Sequence, residues 1–346
     1  MKGLETQRLR LRPFEEGDYP LVLAISSDPE TVKYLYRWGH PGVTPQQDAR
    51  RFLDYALAEW AQTPVRAREY CLVRRDTGEA IGDGSIEYWN EDTAEIGWIL
   101  LPAHRGQGFV TEMGRALLRY GFEEMGVHRI IAHCDARNAP SYQVMERLGM
   151  RREGVAWAAR PAKTPGGEKG DECTYAILRE DWEKELEIAE YEKLPCHFES
   201  FISVPELTDG EIRLICVEKH PADPEKKHVP AYSFLIARAG EKIGEINLRI
   251  GYPPSLYYAG QIGYGIREDF RGHGYAAAAC RLLTPVMRAH GMHTALITND
   301  EGNLASRRVC EKLGARFLRR ARLPENHELR AEGEEWVNVF AWEFEK

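Results

Sequence analysis

Three blocks of this sequence occur twice, in the same order and at nearly the same interval. "AEIGWIL" at Ala94 returns as "GQIGYGI" at Gly260, "RGQGF" at Arg105 returns as "RGHGY" at Arg271, and "ARNAPSYQVMERLGM" at Ala136 returns as "EGNLASRRVCEKLGA" at Glu301. From Ile96 to Ile262 is 166 residues, and from Asn138 to Asn303 is 165. One residue of drift over three ordered blocks reads as two copies of one domain. The interval is too long for a solenoid, whose units are shorter. A chain of 346 residues also suits two domains. The expected division is a first domain over residues 1–182, a charged connector over 183–196 and a second domain over 197–346.

In the first copy, "RLRLRPF" alternates and reads as a strand. Helices are expected from Glu15 to Ile25 and from Pro45 to Ala61, the second opened by Thr44 as N-cap with Pro45 in the first turn. "EYCLVRR" and "AIGDGSIEYW" are strands joined by the turn "DTGE", and "AEIGWILL" is the next strand. A helix from Phe109 to Met125 stops at Gly126. The strand "HRIIAHC", a short helix over "APSYQVMERLG" and strands near "RREGVAW" and "ECTYAIL" complete the copy. The second copy opens with "EIRLICVE" and "YSFLIAR", separated by the proline-rich, charged "KHPADPEKKHVPA". Three prolines in that stretch cannot supply the two early helices of the first copy.

Composition narrows the function classes. The net charge of −8 argues against a nucleic-acid surface and leaves room for a cationic small molecule. An odd count of seven cysteines without a Cys-x-x-Cys pair fits reduced thiols in a cytoplasmic protein. The opening "MKGLETQRLRLRPFEEGDYP" has no apolar core of a signal peptide. No apolar run reaches the length of about 18 residues that a membrane span needs. His290 and His293 stand three apart without a convincing third ligand, so no metal site is expected.

The repeated turn leads from a strand into a helix. The first N–H groups of a helix have no internal partner, and the macrodipole adds partial positive charge there. Gly106, Gly108, Gly272 and Gly274 let a phosphate approach the backbone, and Arg105 and Arg271 can add a charged donor. A Rossmann dinucleotide turn is excluded, because Val110-Thr111 and Ala276-Ala277 follow where a third glycine is required. What remains is a site for a pyrophosphate or a tight strand-to-helix turn that holds no ligand.

Arg-x-x-Gly-x-(Gly/Ala) between a strand and a long helix, followed about 30 residues later by an Asn-x-x-Ser helix, resembles the GNAT family of N-acetyltransferases. "RGHGYA" at residues 271–276 matches the acetyl-CoA turn fully, and "RGQGFV" at residues 105–110 departs only at Val110. The first copy, from "ETQRLRLRPFEEGDY" onward, resembles the ribosomal-protein N-terminal acetyltransferases. The resemblance implies an α+β fold: two tandem domains, each a central mixed, splayed β-sheet flanked by helices, with acetyl-CoA as cofactor. By the same match, Arg105, Gly106, Gln107, Gly108, Phe109 and Val110 hold pyrophosphate in one copy. Arg271, Gly272, His273, Gly274, Tyr275 and Ala276 hold it in the other. Backbone near Ile99, Leu100 and Leu101, and near Ile266 and Arg267, would pair with the pantetheine arm, which Asn138 and Asn303 would contact.

The implied reaction passes an acetyl group to a primary amine, either a peptide N-terminus or a small amine. It needs a base for the ammonium and a donor near the leaving sulfur. The family's tyrosine acid is replaced by Met145 and Cys310, and the subgroup's serine maps to Ser141 and Ser306. Glu95 on the strand before the turn is the expected base. Gln261 takes its place in the second copy, where Glu245, matching Asp83, is the other candidate. Tyr34, Tyr36 and Trp38 would line the acceptor side. A non-catalytic acyl-CoA sensor or scaffold is the alternative, above all for the second copy. The sequence leaves oligomeric state open.

Overall fold

The computed structural model of the chain describes residues 3–35, 38–39, 42–60, 66–162, 167–225, 228–300, 302–324, 327–331 and 333–344. Tyr36, expected beside the acceptor, and Ala61, the expected end of the second helix, lie outside them. The chain divides into two compact units, Met1–Glu183 and Lys184–Lys346. Among the described residues, no helix is long and apolar enough to cross a membrane.

In the first unit, β1 (Leu4–Glu5) and β2 (Leu9–Pro13) precede α1 (Tyr19–Ser27), α2 (Pro29–Val32) and α3 (Pro45–Glu59). There follow β3 (Ala67–Arg74), β4 (Ala80–Tyr88), β5 (Thr93–Leu100), α4 (Phe109–Arg119), β6 (Arg129–Asp135), α5 (Ala139–Arg147), β7 (Arg151–Arg160) and β8 (Gly170–Leu178). The strands make one sheet in the order β1-β2-β3-β4-β5-β6-β8-β7. Thr44 and Pro45 start α3 as expected: the Thr44 hydroxyl accepts from Gln47 N, and the Gln47 side chain accepts from Thr44 N. Helix α4 buries Phe109, Met113 and Leu117 along one face, and its last turn is wound as a π-helix over Tyr120–Glu124.

The contact between β5 and β6 places the site. It is parallel and three pairs long: Thr93 with Arg129, Ala94 with Ile130, and Glu95 with Ile131. Beyond Glu95, β5 continues to Leu100 with its ladder to β4 intact and none to β6. The sheet therefore opens as a wedge toward the glycine turn that follows β5.

The entry into α1 is fixed by charge. Arg12 donates two 2.7 Å hydrogen bonds to Asp18, which also accepts from Glu15 N. Burial alone would raise the Asp18 carboxyl, but the Arg12 guanidinium and the Glu15 N–H outweigh it and hold the group below its ordinary range. A carboxylate with a depressed folded pKa stabilises above its unfolded value, and that stability is lost as pH falls through the folded value. Asp18→Asn is expected to cost roughly 3 kcal/mol at neutral pH. Denaturant titration should also show a shallower loss of stability in acid than for the parent chain.

The second unit takes the end of α6 (Arg179–Tyr191), whose Ile188 and Tyr191 are buried in its core. It continues through β9 (Leu207–Thr208), β10 (Arg213–His220), β11 (Ala231–Arg238), β12 (Glu241–Arg249), α7 (Pro254–Ala259) and β13 (Ile262–Ile266). Then come α8 (Tyr275–Leu282), α9 (Thr284–Ala289), β14 (Thr294–Asn299), α10 (Leu304–Leu313), β15 (Arg316–Arg322), α11 (Glu328–Ala331) and β16 (Trp336–Glu343). Among the described residues no helix lies between β10 and β11, the place that α1 to α3 occupy in the first unit. The repeat did not signal α7, which buries Leu256, Tyr257 and Tyr258.

Here the parting of the sheet goes further. The strands form two antiparallel sheets, β13-β12-β11-β10-β9 and β14-β16-β15, with no ladder between β13 and β14. A fully buried glutamine spans the junction. Gln261 donates its backbone N–H to Leu296 O at 2.9 Å, and its side-chain Oε1 accepts from Leu296 N at 2.6 Å. Its Nε2 donates to Gly251 O at 2.9 Å and to the Tyr191 hydroxyl.

Candidate functional site

In both units the strand before the turn runs into a short 3₁₀ turn and then two left-handed glycines. Gly106 and Gly108 have φ of +74° and +79°, and Gly272 and Gly274 have +86° and +88°. A side chain is strained at such φ values, so the cradle depends on glycine. Gly108 and Gly274 are the residues from which α4 and α8 start, so the free N–H groups of each helix face the turn. Gln107 and His273 stand exposed in the turns, whereas Phe109 and Tyr275 anchor each helix in its core. Val110 packs against the first core, as the buried Ala276 does in the second. The departure from Gly or Ala at Val110 therefore lies on the far side from the cradle.

The arginines brace the turns. Arg105 donates from Nε to Leu100 O at 3.1 Å and from Nη2 to the Thr31 hydroxyl at 2.6 Å. Arg271 repeats the first bond, to Ile266 O at 3.1 Å, and its unit has no counterpart of Thr31. A second cation adjoins each turn, from a different element each time. Arg8 donates to Gln107 O at 2.9 Å, and Lys312 Nζ lies 3.3 Å from where a Cβ on Gly274 would sit. Arg267 is tied to Glu241 at 2.6 Å.

Asn138 and Asn303 start α5 and α10, placing Ser141 and Ser306 in the first turns. The Asn303 side chain caps α10 by accepting from Ser306 N at 3.0 Å, whereas Asn138 makes no such cap. The Ser306 hydroxyl lies 2.9 Å from the Tyr264 hydroxyl of β13. Met145 and Cys310 are both core residues. Among the described residues, no group of three or more His, Cys, Asp or Glu could hold a metal ion, and His290 bonds the Tyr232 hydroxyl at 2.8 Å.

Against the sheet of the first unit lies a cavity of about 770 Å³. Alternation along β4 and β5 sends Asp83, Ser85 and Glu87, and Glu95, Gly97 and Ile99, to its floor. Helix α3 walls it with Asp48, Arg51 and Phe52, and Trp38 adds to that wall. Tyr34 is not among its lining residues. Six carboxylates line it (Asp48, Glu69, Asp83, Glu87, Glu95 and Glu172) against the two guanidinium groups of Arg51 and Arg160. Asp48 pairs with Arg51 at 2.5 Å, and Glu172 with Arg160 at 3.0 Å. Burial pushes the Asp83 carboxyl up to about 7, against a hydrogen bond from the Ile99 backbone.

Glu95 faces this cavity, and its Oε1 lies 2.9 Å from His133 Nδ1. That bond raises the His133 imidazole above its ordinary value, with burial opposing. Sequence reading did not single out His133. The signal was a register: His133 stands two residues beyond Ile131, which pairs with Glu95, and so shares its face. The second unit has no equivalent arrangement. Gln261 is fully buried in the sheet junction, and the Glu245 side chain is exposed, 3.8 Å from Lys242.

The family described as "Acetyltransferase (GNAT) domain" matches residues 8–151 and 198–316. A curated relative, "Uncharacterized N-acetyltransferase YnaD" of Bacillus subtilis, is 38% identical over 180 residues, covering 52% of this chain and 98% of its own. "FsC-acetyl coenzyme A-N(2)-transacetylase" of Aspergillus fumigatus is 25% identical over 197 residues, covering 52% of this chain and 77% of its own. A crystal structure of a GNAT-family acetyltransferase from Bacillus anthracis is 34% identical with a TM-score of 0.44, covering 52% of this chain and 99% of that one. With the family matched in two segments that together exceed half of the chain, this protein belongs to the GNAT acetyltransferases and carries their domain twice.

Proposed function

We propose that the first unit transfers an acetyl group from acetyl-CoA to a small cationic primary amine. The observation that carries this reading is the acidic cavity on β4 and β5, because β5 also leads into the glycine turn. A cavity of about 770 Å³ suits a small molecule. Its excess of carboxylates over guanidinium groups favours a cation over an amine that bears its own carboxylate.

Acetyl-CoA supplies an activated acetyl thioester. Arg105 to Val110 would hold its pyrophosphate through turn N–H groups, with Arg8 beside them, and backbone from Ile99 to Leu101 would line the pantetheine arm. Asn138 at the start of α5 would add a side-chain amide, and Ser141 in its first turn would offer a hydroxyl to the thioester. The ammonium proton has Glu95 and its neighbour His133 to receive it.

Acceptors should sort by charge. Following CoA release across an amine panel, kcat/KM for simple diamines should exceed that for α-amino acids by at least ~10-fold, as expected of an acidic pocket. Faster turnover with neutral-flanked peptide N-termini than with diamines would move the assignment to a peptide acceptor.

For the second unit we infer cofactor binding without an enclosed acceptor site. Ile266, Arg267 and Arg271 to Ala276 repeat the turn, and Asn303 and Ser306 repeat the helix start. What favours a binding or sensing role is that no helix lies between β10 and β11 among the described residues, and that Glu245 is exposed.

A further inference from the structure

Resting on the acceptor reading above, we propose that His133 Nε2 is the atom that takes the ammonium proton, with Glu95 as a positioning residue that holds the imidazole by Nδ1. The geometry is that of an oriented base. Glu95 Oε1 lies 2.9 Å from Nδ1, and a carboxylate there accepts the Nδ1–H, which leaves the lone pair of the neutral ring on Nε2. Both side chains line the cavity and are mostly but not wholly covered, at 16% and 24% exposure, so a ligand can reach them. The Trp89 ring, which also lines the cavity, lies tilted beside the imidazole with centroids 5.7 Å apart.

The surrounding charges favour an imidazolium. Glu95 on β5, Glu87 opposite it on β4, Glu69 on β3 and Glu172 on β8 are carboxylates, and Asp83 on β4 is a further acid whose burial raises it to about 7. Arg160 on β7 is the opposing cation, and α3 faces them across the cavity with the paired Asp48 and Arg51. Chemistry also prefers the ring. An ordinary carboxylate, with a pKa of about 4.3, is a poor match for an alkyl ammonium, whereas an imidazole backed by a carboxylate is a stronger base near neutrality.

The protons balance as follows. One proton passes from the ammonium to Nε2. The nitrogen lone pair then forms the amide bond as the thioester C–S bond breaks. The second nitrogen proton ends on the departing sulfur, and the first leaves the imidazolium for solvent. Each turnover releases one proton.

The test uses the full chain, acetyl-CoA and 1,3-diaminopropane as the probe amine, with kcat/KM followed against pH. Histidine-selective NMR titration of the substrate-free protein runs beside it. The NMR titration should show His133 with Nδ1 protonated, and its midpoint should coincide with the rising limb of kcat/KM. Glu95→Gln should move both midpoints to lower pH together, since an amide oxygen still orients the ring without its charge. His133→Gln should abolish that limb and lower kcat by about 100-fold, with acetyl-CoA affinity by calorimetry unchanged within twofold. A limb that survives His133→Gln with kcat within threefold, or an Nε2-protonated tautomer, would overturn the proposal while leaving acetyl transfer intact. Bound acetyl-CoA without turnover of the diamine by the parent chain would instead defeat the acceptor reading, and the proposal with it.

Discussion

Gly108→Glu is expected to remove acetyl-CoA binding from the first unit alone, and Gly274→Glu from the second alone. Calorimetry of the parent chain should count two molecules per chain, and each variant one. Two effects add. Both glycines have φ near the centre of the left-handed region, +79° and +88°, where a side chain costs about 1–2 kcal/mol. The new carboxylate would also stand beside the cation that serves each turn. A Cβ on Gly108 would lie 3.5 Å from Arg8 Nη2, and one on Gly274 would lie 3.3 Å from Lys312 Nζ. Either carboxylate would fill the cradle and repel the pyrophosphate; the one at 274 would also neutralise Lys312, whereas Arg8 is already paired with Glu112 at 2.6 Å. Affinity at the altered turn should fall more than ~100-fold, since each 1.4 kcal/mol is tenfold. Two molecules still bound in both variants would show that these turns do not hold the phosphates.

Gln261→Leu should destabilise the second unit by roughly 4 kcal/mol, because each buried polar group left unpaired costs about 1–3 kcal/mol. Leucine fills similar space, but it strands Leu296 N–H and Gly251 C=O, both of which the glutamine amide now satisfies. The Tyr191 hydroxyl loses a partner as well. At about 2–4 °C per kcal/mol for a unit of this size, the unfolding midpoint of the second unit should drop by roughly 10 °C. Amide exchange at Leu296 should accelerate before the rest of β14. An unchanged midpoint would mean that solvent replaces the glutamine at the junction.

These residues also mark what the sequence made legible. The glycine turn could be read because its chemistry is local: strand, left-handed glycines and helix start are contiguous in the chain. The early helices missing from the second copy were legible for the same kind of reason, since prolines forbid them wherever the segment lies. Gln261 was not legible. Read by alignment with Glu95 it is a lost carboxylate, whereas the fold gives it the hydrogen bonds that three parallel pairs make in the first unit. His133 stayed hidden because its partner Glu95 lies 38 residues away and only the register of β5 on β6 brings them together. The acidic cavity needs six strands and a helix to assemble, and no single element of the chain supplies more than two of its carboxylates.

The short contact between β5 and β6 has a consequence for strand pairing. A sheet edge with unpaired N–H and C=O groups recruits other strands, and proteins blunt such edges with charge, bulges or cover. From Ile96 to Leu100 this chain keeps such an edge inside its own sheet, paired to β4 on one side and without a ladder to β6 on the other. In the proposed function, the extended pantetheine arm with its amide groups would meet this edge. On the proposed reading, an edge that would otherwise invite another strand is the edge that meets the amide groups of the cofactor.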